Sequence, residues 1–245
     1  MKRFALLGHP LAGSLSPALF RAAYGGRWNY ELVDTPSFDE AWAAFLASYE
    51  GVNVTAPFKV DALRRCDILS DDARRSGAVN LVLRSNGKCL GYNTDVEGVR
   101  GALQCCPEVP EHASVLVVGT GGAARAALTA TLQMGFSATV AGRSPEKVQT
   151  LAPAFGCTGA LLSEITDYRP DIVIYTLPGS APVPSGLPLA GAIVLEAEYR
   201  QPVLAGVPCR AYVGGLRWLL CQAVAGYRLF TGEEPDTGAM EKAIL

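Results

Sequence analysis

The stretch Val115-Leu-Val-Val-Gly119-Thr-Gly121-Gly122-Ala-Ala-Arg-Ala-Ala-Leu128 decides the fold of this chain. Its leading apolar residues predict a parallel strand buried on both faces, and the alanine-rich segment from Ala123 predicts a helix. The glycines between them allow a tight turn, in which backbone N–H groups and a helix N-terminus approach an anion. This arrangement is typical of a dinucleotide-binding unit, with Ala124 in the third glycine position. Taken alone, the pattern also fits a plain strand-to-helix turn.

The end of the next predicted strand indicates which dinucleotide would bind. That strand, Ser137–Ala141, is followed by Gly142, Arg143 and Ser144, with Lys147 one helical turn further along. A carboxylate at this place suits a free ribose 2′-hydroxyl, whereas a cation and a hydroxyl suit a 2′-phosphate. The alternative is a solvated arginine followed by a serine that caps the next helix. With the glycine turn upstream, the sequence predicts NADP.

Composition limits the classes of protein to consider. The chain has 245 residues, of which 49% are hydrophobic, and a formal net charge of −2 at pH 7. These values allow a substantial core and predict binding to neither nucleic acid nor an anionic membrane. Seven scattered cysteines and two histidines predict a reducing, cytoplasmic location and no metal site. No apolar stretch has the length of a signal peptide or a membrane-spanning helix.

The second half of the chain carries further predictions. The segment Cys106–Pro110 is the best candidate for a linker. The Gly-, Pro- and Ser-rich segment Pro178–Pro188 predicts a mobile loop over the cofactor, and no regular structure is expected over Glu196–Tyr212. A long apolar helix is predicted over Leu216–Phe230, and a short one over Asp236–Ile244.

Polar residues at predicted helix starts in the first half are candidates for chemistry. Ser14 and Ser16 precede Pro17; a helix N-cap would explain Ser16 but not Ser14, and two hydroxyls beside a helix N-terminus suit a substrate carboxylate. Lys59 falls in a first helical turn, where the helix dipole disfavours a cation. A capping box before a later helix leaves Asp95 unexplained. Surface lysines and N-terminal carboxylates are common, yet this lysine and this carboxylate suit proton transfer.

Several short motifs, in one order, make the chain resemble the shikimate dehydrogenase family nearly from end to end. Each is a few residues long, and their combination is much more specific than any one of them. They are S-x-S-P at 14–17, N-V-T-x-P-x-K at 53–59, G-A-V-N at 77–80, N-T-D-x-x-G at 93–98, the glycine turn at 119–124, the arginine clamp at 142–144 and a late helix with its glutamine at 215–222.

The resemblance implies a fold and an activity. The activity is the reversible NADPH-dependent reduction of 3-dehydroshikimate to shikimate. The fold is α/β with two α/β domains and a cleft between them. Residues 1–101 and 216–245 would form a substrate-binding domain, to which the C-terminal helices return, and residues 102–215 a Rossmann-type, doubly wound NADP-binding domain. The protein would be a monomer or a homodimer that binds small molecules.

The resemblance also assigns site residues by position. The catalytic pair would be Lys59 and Asp95. Substrate would contact Ser14, Ser16, Asn53, Thr55, Lys59, Asn80, Asp95, Tyr199 and Gln222, with the serines on its carboxylate and the others mostly on ring hydroxyls. The cofactor would contact Gly119, Thr120, Gly121, Gly122, Ala123, Arg143, Ser144, Lys147, Gly215 and Trp218.

The chain departs from the family pattern at two places in the cofactor half, and it is also short for the family. Tyr175–Gly179 replaces an Asn-Ala-Thr-Pro-type loop, and Arg217-Trp218 replaces the Gly-Met that borders the nicotinamide. Two alternatives therefore stay open. One is an enzyme of the same fold that accepts quinate or prefers NAD. The other is a catalytically idle NADP-binding regulatory module, which would need neither Lys59 nor Asp95.

Overall fold

The structure is a computed structural model that describes residues 2–244. These residues divide into two compact units. One unit combines the chain up to Gly98 with the segment from Leu220 onward, and the other spans Val99–Leu219. The sequence-based boundaries, after residue 101 and before residue 216, fall close to these divisions.

Each unit contains one sheet flanked by helices. The first sheet consists of β1 (Arg3–Gly8), β2 (Asn29–Asp34), β3 (Gly51–Val54), β4 (Ile68–Leu69), β5 (Leu81–Ser85) and β6 (Lys88–Tyr92). The second consists of β7 (Ser114–Val118), β8 (Ser137–Gly142), β9 (Thr158–Leu161), β10 (Ile172–Tyr175), β11 (Ile193–Glu196) and β12 (Ala211–Val213). The helices are α1 (Ser16–Ala23), α2 (Phe38–Ser48), α3 (Lys59–Arg65), α4 (Asp71–Ser76), α5 (Asp95–Gln104), α6 (Gly122–Gln133), α7 (Pro145–Phe155), α8 (Gly215–Thr231) and α9 (Thr237–Ile244).

The first sheet is mixed, with strand order β2-β1-β3-β5-β6-β4. β1 pairs in parallel with β2 on one side and with β3 on the other, so the carboxyl ends of all three strands lie at one edge. The β5–β6 hairpin turns at Asn86 and Gly87, whose φ values are 51° and 74°. Two consecutive positive φ angles are what a type I′ hairpin turn requires.

The second sheet is entirely parallel, with strand order β12-β11-β10-β7-β8-β9. Counted from β7, this is the 3-2-1-4-5-6 order of a doubly wound dinucleotide-binding fold, as the sequence predicts. The direction of winding reverses between β7 and β10. Ligands of such folds bind beyond the carboxyl ends of the strands at this reversal, which is where the glycine turn after β7 lies.

One prediction for the second unit is wrong. The segment expected to lack regular structure, Glu196–Tyr212, contains most of β12. Among residues 2–244, this short edge strand pairs with β11 alone, opposing Ala211 to Ile193, and its residues are all half-buried. Because its pairing rather than an apolar pattern defines it, local sequence gives little signal.

A buried carboxylate orders the connection that precedes β12. Glu196 is 0% exposed and accepts hydrogen bonds from the N–H groups of Val203 at 2.7 Å and Leu204 at 3.2 Å. It also accepts one from the Tyr212 hydroxyl at 2.6 Å. Burial and this carboxylate raise the pKa of Tyr212, so the hydroxyl keeps its proton and remains a donor. The nearby Tyr175 hydroxyl is buried without a hydrogen-bond partner among residues 2–244.

We expect Tyr212→Phe and Tyr175→Phe to affect stability differently. Loss of the Tyr212 hydroxyl leaves the buried Glu196 carboxylate one donor short, which costs about 1–3 kcal/mol of unfolding free energy. Loss of the Tyr175 hydroxyl removes a buried polar group that has no partner, so the unfolding free energy should stay the same or rise. Urea titrations of both variants and of the wild type measure the unfolding free energies. Equal destabilisation of the two variants would contradict the expectation.

Candidate active site

The two residues predicted as a catalytic pair lie in direct contact. Lys59 Nζ donates to Asp95 Oδ2 at 2.5 Å, and the two side chains are 16% and 11% exposed. Each begins a helix, Lys59 in α3 and Asp95 in α5. The helix dipole favours Asp95 and disfavours Lys59 at these places, and the neighbouring carboxylate offsets the unfavourable position of the ammonium. α3 begins at Lys59, directly after a turn over residues 56–58.

A buried polar network adjoins this pair. The Thr94 N–H donates to Asn80 Oδ1 at 2.7 Å, and Asn80 Nδ2 lies 3.1 Å from Thr94 Oγ1. The Thr94 hydroxyl lies 3.3 Å from Gln222 Oε1 on α8. Two predicted substrate-binding residues, Asn80 and Gln222, are thus brought together beside Asp95. In the sequence, Thr94 is the first residue of the capping box Thr94-x-x-Glu97, and nothing in that motif indicates that it connects Asn80 with Gln222.

Two further side chains fix the orientation of predicted site residues. The Tyr30 hydroxyl donates to Asn53 Oδ1 at 2.7 Å, while Asn53 Nδ2 donates to the Asn80 carbonyl at 3.3 Å. Buried Asn93 accepts the Asp95 N–H at 3.2 Å. Tyr30 carries no motif that could have indicated this role, whereas Asn93 belongs to the N-T-D motif. Thr55 directly follows β3, where its side chain fills the space beside Gly8 at the end of β1.

The serine pair lies at the start of α1, but not in the way predicted. Ser16 is the first residue of the helix and Leu15 takes the N-cap position, with no side-chain cap bond. The N-cap prediction for Ser16 is wrong because Leu15 already has helical backbone angles, φ −85° and ψ −6°, whereas a capping serine is extended. Ser14 Oγ and Ser16 Oγ are 3.4 Å apart. The Tyr227 hydroxyl of α8 donates to the Ser16 carbonyl at 3.0 Å.

The glycine turn after β7 combines one glycine that the fold requires with one that it does not. Gly119 has φ 125°, and a side chain there would collide with the Thr176 hydroxyl. Gly121 has an ordinary φ, is exposed and has nothing within 4 Å of the place a Cβ would occupy. Since α6 begins at Gly122, the first N–H groups of this helix have no acceptor within it. An open approach to free N–H groups fits a pyrophosphate.

The residues predicted to bind the 2′-phosphate of NADP follow β8. Arg143 and Lys147 are exposed, and within the described part of the chain neither side chain has an ion pair. Ser144 caps α7, with its Oγ accepting the Lys147 N–H at 3.3 Å. The capping role weighed for Ser144 is therefore confirmed. Its hydroxyl proton stays available to an acceptor.

The remaining predicted residues lie in the second unit. Gly215 begins α8, and a Cβ there would stand 2.6 Å from the Ala197 carbonyl, so packing alone demands a glycine. Trp218 is 5% exposed. Tyr199 is half-buried in the connection that Glu196 holds, with the Arg200 guanidinium 5.8 Å from its ring. Thr120 and Ala123 are half-buried beside the glycine turn.

Within residues 2–244, no cluster of three or more His, Cys, Asp or Glu side chains is suited to a metal ion. All seven cysteines are free thiols. Among the described helices, none combines the length and the apolar composition needed to cross a membrane.

Comparison with known proteins gives one consistent family. A model of the shikimate dehydrogenase substrate binding domain matches residues 6–82, and one of the shikimate 5′-dehydrogenase C-terminal domain matches residues 215–245. A shikimate dehydrogenase (NADP(+)) from Thermus thermophilus is 36% identical over 99% of this chain and 97% of that protein.

Solved structures agree in fold. A shikimate 5-dehydrogenase from Thermus thermophilus, in complex with NADP(H) and shikimate, has a TM-score of 0.86 at 32% identity, covering 100% of this chain and 98% of the other. A quinate dehydrogenase from Corynebacterium glutamicum in complex with NAD has a TM-score of 0.84 at 27% identity, covering 99% and 98%. The fold thus occurs with two substrates and two dinucleotides, so the residues of this chain decide which substrate and which dinucleotide it uses.

Proposed function

The chain belongs to the shikimate dehydrogenase family, and from this we propose that it catalyses the reversible NADPH-dependent reduction of 3-dehydroshikimate to shikimate, the shikimate-pathway step that leads toward chorismate. One observation carries the proposal: the Lys59 ammonium and the Asp95 carboxylate lie 2.5 Å apart, and both are largely buried. A binding module would gain nothing from a buried ion pair at this place, since such pairs are costly to desolvate.

Lys59 supplies the proton in this mechanism. When bound, NADPH supplies the hydride that reduces the ketone carbon. Negative charge then grows on the ketone oxygen, and an ammonium beside it both stabilises that charge and donates the proton that completes the alcohol. In the oxidative direction, Lys59 takes the proton back from the hydroxyl. The balance is one hydride and one proton added to the carbonyl.

Asp95 and the polar network orient the reacting groups. Asp95 holds the Lys59 ammonium through Oδ2 and can accept a hydrogen bond from a ring hydroxyl. Asn80 and Gln222, connected through Thr94, present amide groups to further hydroxyls. Because these side chains hold one another before substrate arrives, little conformational freedom has to be lost on binding.

Ser14 and Ser16 bind the substrate carboxylate in this proposal. Their hydroxyl oxygens lie 3.4 Å apart beside the N-terminus of α1. A helix N-terminus and two hydroxyl donors suit an anion, and neither hydroxyl is needed as a helix cap.

We expect Ser14→Ala or Ser16→Ala to raise the KM for shikimate about tenfold or more, because hydrogen bonds to a charged group contribute roughly 1.5–3 kcal/mol. The KM for NADP should not change. Since Leu15 occupies the cap position, the melting temperature of Ser16→Ala should stay close to that of the wild type. Unchanged KM values in both variants would refute the carboxylate assignment.

The residues after β7 and β8 fit NADP. Open space at Gly121 and free N–H groups at the start of α6 suit the pyrophosphate, and Arg143, Ser144 and Lys147 suit the 2′-phosphate. A carboxylate in place of Arg143 would have favoured NAD. This argues against the NAD-dependent alternative, and the buried Lys59–Asp95 pair argues against an idle regulatory module.

We propose a cytoplasmic location, because seven free thiols suit a reducing compartment. The protein is proposed to be a monomer or a homodimer, and light scattering distinguishes the two by measuring the mass of the particle in solution.

The test of function is an absorbance assay of NADPH formation from NADP, with shikimate and quinate compared as substrates and NAD as the alternative oxidant. We expect the highest kcat/KM with shikimate and NADP. Thermal shifts with the same four compounds provide a binding readout independent of turnover. Binding of NADP without turnover of either substrate would support the regulatory alternative instead.

A further inference from the structure

We propose that Asp34, which no family motif includes, is a positioning residue for the substrate carboxylate, because it holds in place the loop that presents Ser14 and Ser16. The loop consists of residues 9–15, between β1 and α1. The proposal rests on the proposed function, since it concerns the same substrate-binding site.

Asp34 engages the loop with both of its oxygens. It is the last residue of β2, directly beside the end of β1. Its Oδ2 accepts the Leu11 N–H at 3.0 Å, and its Oδ1 lies 2.7 Å from His9 Nδ1. These two hydrogen bonds lower the pKa of Asp34 below its ordinary value. The side chain is therefore a carboxylate, able to accept both bonds, at any pH at which the enzyme would work.

Leu11 transmits this restraint to the serines. Its side chain is 2% exposed, so the residue is fixed from the apolar side as well as by Asp34. Its carbonyl accepts the Ser14 N–H at 3.1 Å. The Ser14 hydroxyl in turn accepts the Ser16 N–H at 3.4 Å. A continuous series of contacts thus connects the Asp34 carboxylate to both hydroxyls.

The other side of the loop is attached to the segment that leads to the catalytic lysine. The His9 N–H donates to the Ala56 carbonyl at 3.1 Å, and the Thr35 N–H donates to the Gly8 carbonyl at 3.4 Å. Ala56 stands three residues before Lys59. Asp34 therefore fixes the loop relative to the same segment that carries the proton donor, and so sets the distance between carboxylate anchor and reacting ketone.

Asp34 cannot itself be a ligand of the substrate carboxylate, because two negative charges repel each other. Its effect has to pass through Leu11 and the serines. The predicted signature of such a role is a change in substrate affinity without a change in the chemical step.

The experiment compares Asp34→Ala and Asp34→Asn with the wild type in steady-state kinetics. Asp34→Ala should raise the KM for shikimate about tenfold, the scale of one hydrogen bond to a charged group, with kcat and the KM for NADP nearly unchanged. Asp34→Asn keeps an oxygen that can accept the Leu11 N–H, so its KM should return close to the wild-type value. If Asp34→Ala does not fold, Asp34→Glu, which displaces the carboxylate by one methylene, should also raise the KM for shikimate.

Asp39→Ala is the matched control. Asp39 is an exposed aspartate of the same unit, ion-paired with Arg65 at 2.5 Å, and its loss should leave every kinetic constant unchanged. An unchanged shikimate KM in Asp34→Ala, or an equal rise in Asp34→Asn, would overturn the positioning role. A fall in kcat or a rise in the KM for NADP would do the same, since it would indicate a general loss of structure. A wild type that neither turns over nor binds shikimate overturns the proposed function itself, and this inference with it.

Discussion

Replacing Lys59 by alanine should lower kcat by a factor of about 10²–10⁴, the usual contribution of a positioned acid–base group. The ammonium is held 2.5 Å from Asp95, and no other described lysine lies next to this carboxylate. The KM for shikimate should change much less, because most of the proposed binding contacts come from other side chains. Steady-state kinetics in the oxidative direction measure both constants.

Two controls separate chemistry from folding in this experiment. Lys59→Ala leaves the largely buried Asp95 carboxylate without its partner, so the variant should also be less stable, and kinetics should be recorded well below its melting temperature. Lys88→Ala removes an exposed lysine of the same unit, at the start of β6, and should leave kcat unchanged. A Lys59→Ala enzyme within about threefold of the wild-type kcat would show that Lys59 is not the proton donor.

Replacing Arg143 by alanine should raise the KM for NADP about ten- to a hundredfold, as expected from roughly 1.5–3 kcal/mol of lost interaction with a phosphate. NAD use should hardly change, because a ribose hydroxyl gains little from a cation. Discrimination between NADP and NAD has to come from the residues after β8, since the N-terminus of α6 is proposed to bind the pyrophosphate that both dinucleotides share. The measurement is kcat/KM for NADP and for NAD in the same preparation.

The matched control for Arg143 is another exposed arginine of the second unit. Arg169 donates to the carbonyls of Thr166 and Tyr168, and Arg169→Ala should leave the ratio of NADP to NAD use unchanged. Lys147→Ala should reduce that ratio by less than Arg143→Ala, because an ammonium is a single point charge without the planar fork of a guanidinium. Equal losses of NADP and NAD affinity in Arg143→Ala would mean that this arginine is only structural.

The sequence by itself determined those features that short-range rules control. The apolar run of β7, the glycine turn and the start of α6 depend on local backbone geometry, and their pattern predicted a strand–turn–helix unit typical of dinucleotide binding. The doubly wound sheet was implied by the family resemblance. The motifs around Lys59 and Asp95 likewise placed each residue at the start of a helix. Such predictions succeed because helix and strand periods, glycine φ angles and helix dipoles act over a few residues.

Only the tertiary structure decided which of these residues touch. Lys59 and Asp95 are 36 positions apart in the sequence, and Thr94 and Gln222 are 128 positions apart. Over such separations, the periodicity of helices and strands does not indicate which residues will be in contact. Edge strand β12 forms because β11 provides backbone hydrogen-bond partners for it. Glu196 orders the connection between β11 and β12 because its carboxylate becomes buried on folding and is stabilised there by hydrogen-bond donors from that connection. In the sequence, nothing distinguishes Asp34 from any other residue at the end of a strand. It meets Leu11 because parallel pairing brings the ends of β1 and β2 to the same edge of the sheet, and pairing between distant segments is a property of the packed chain rather than of any stretch within it.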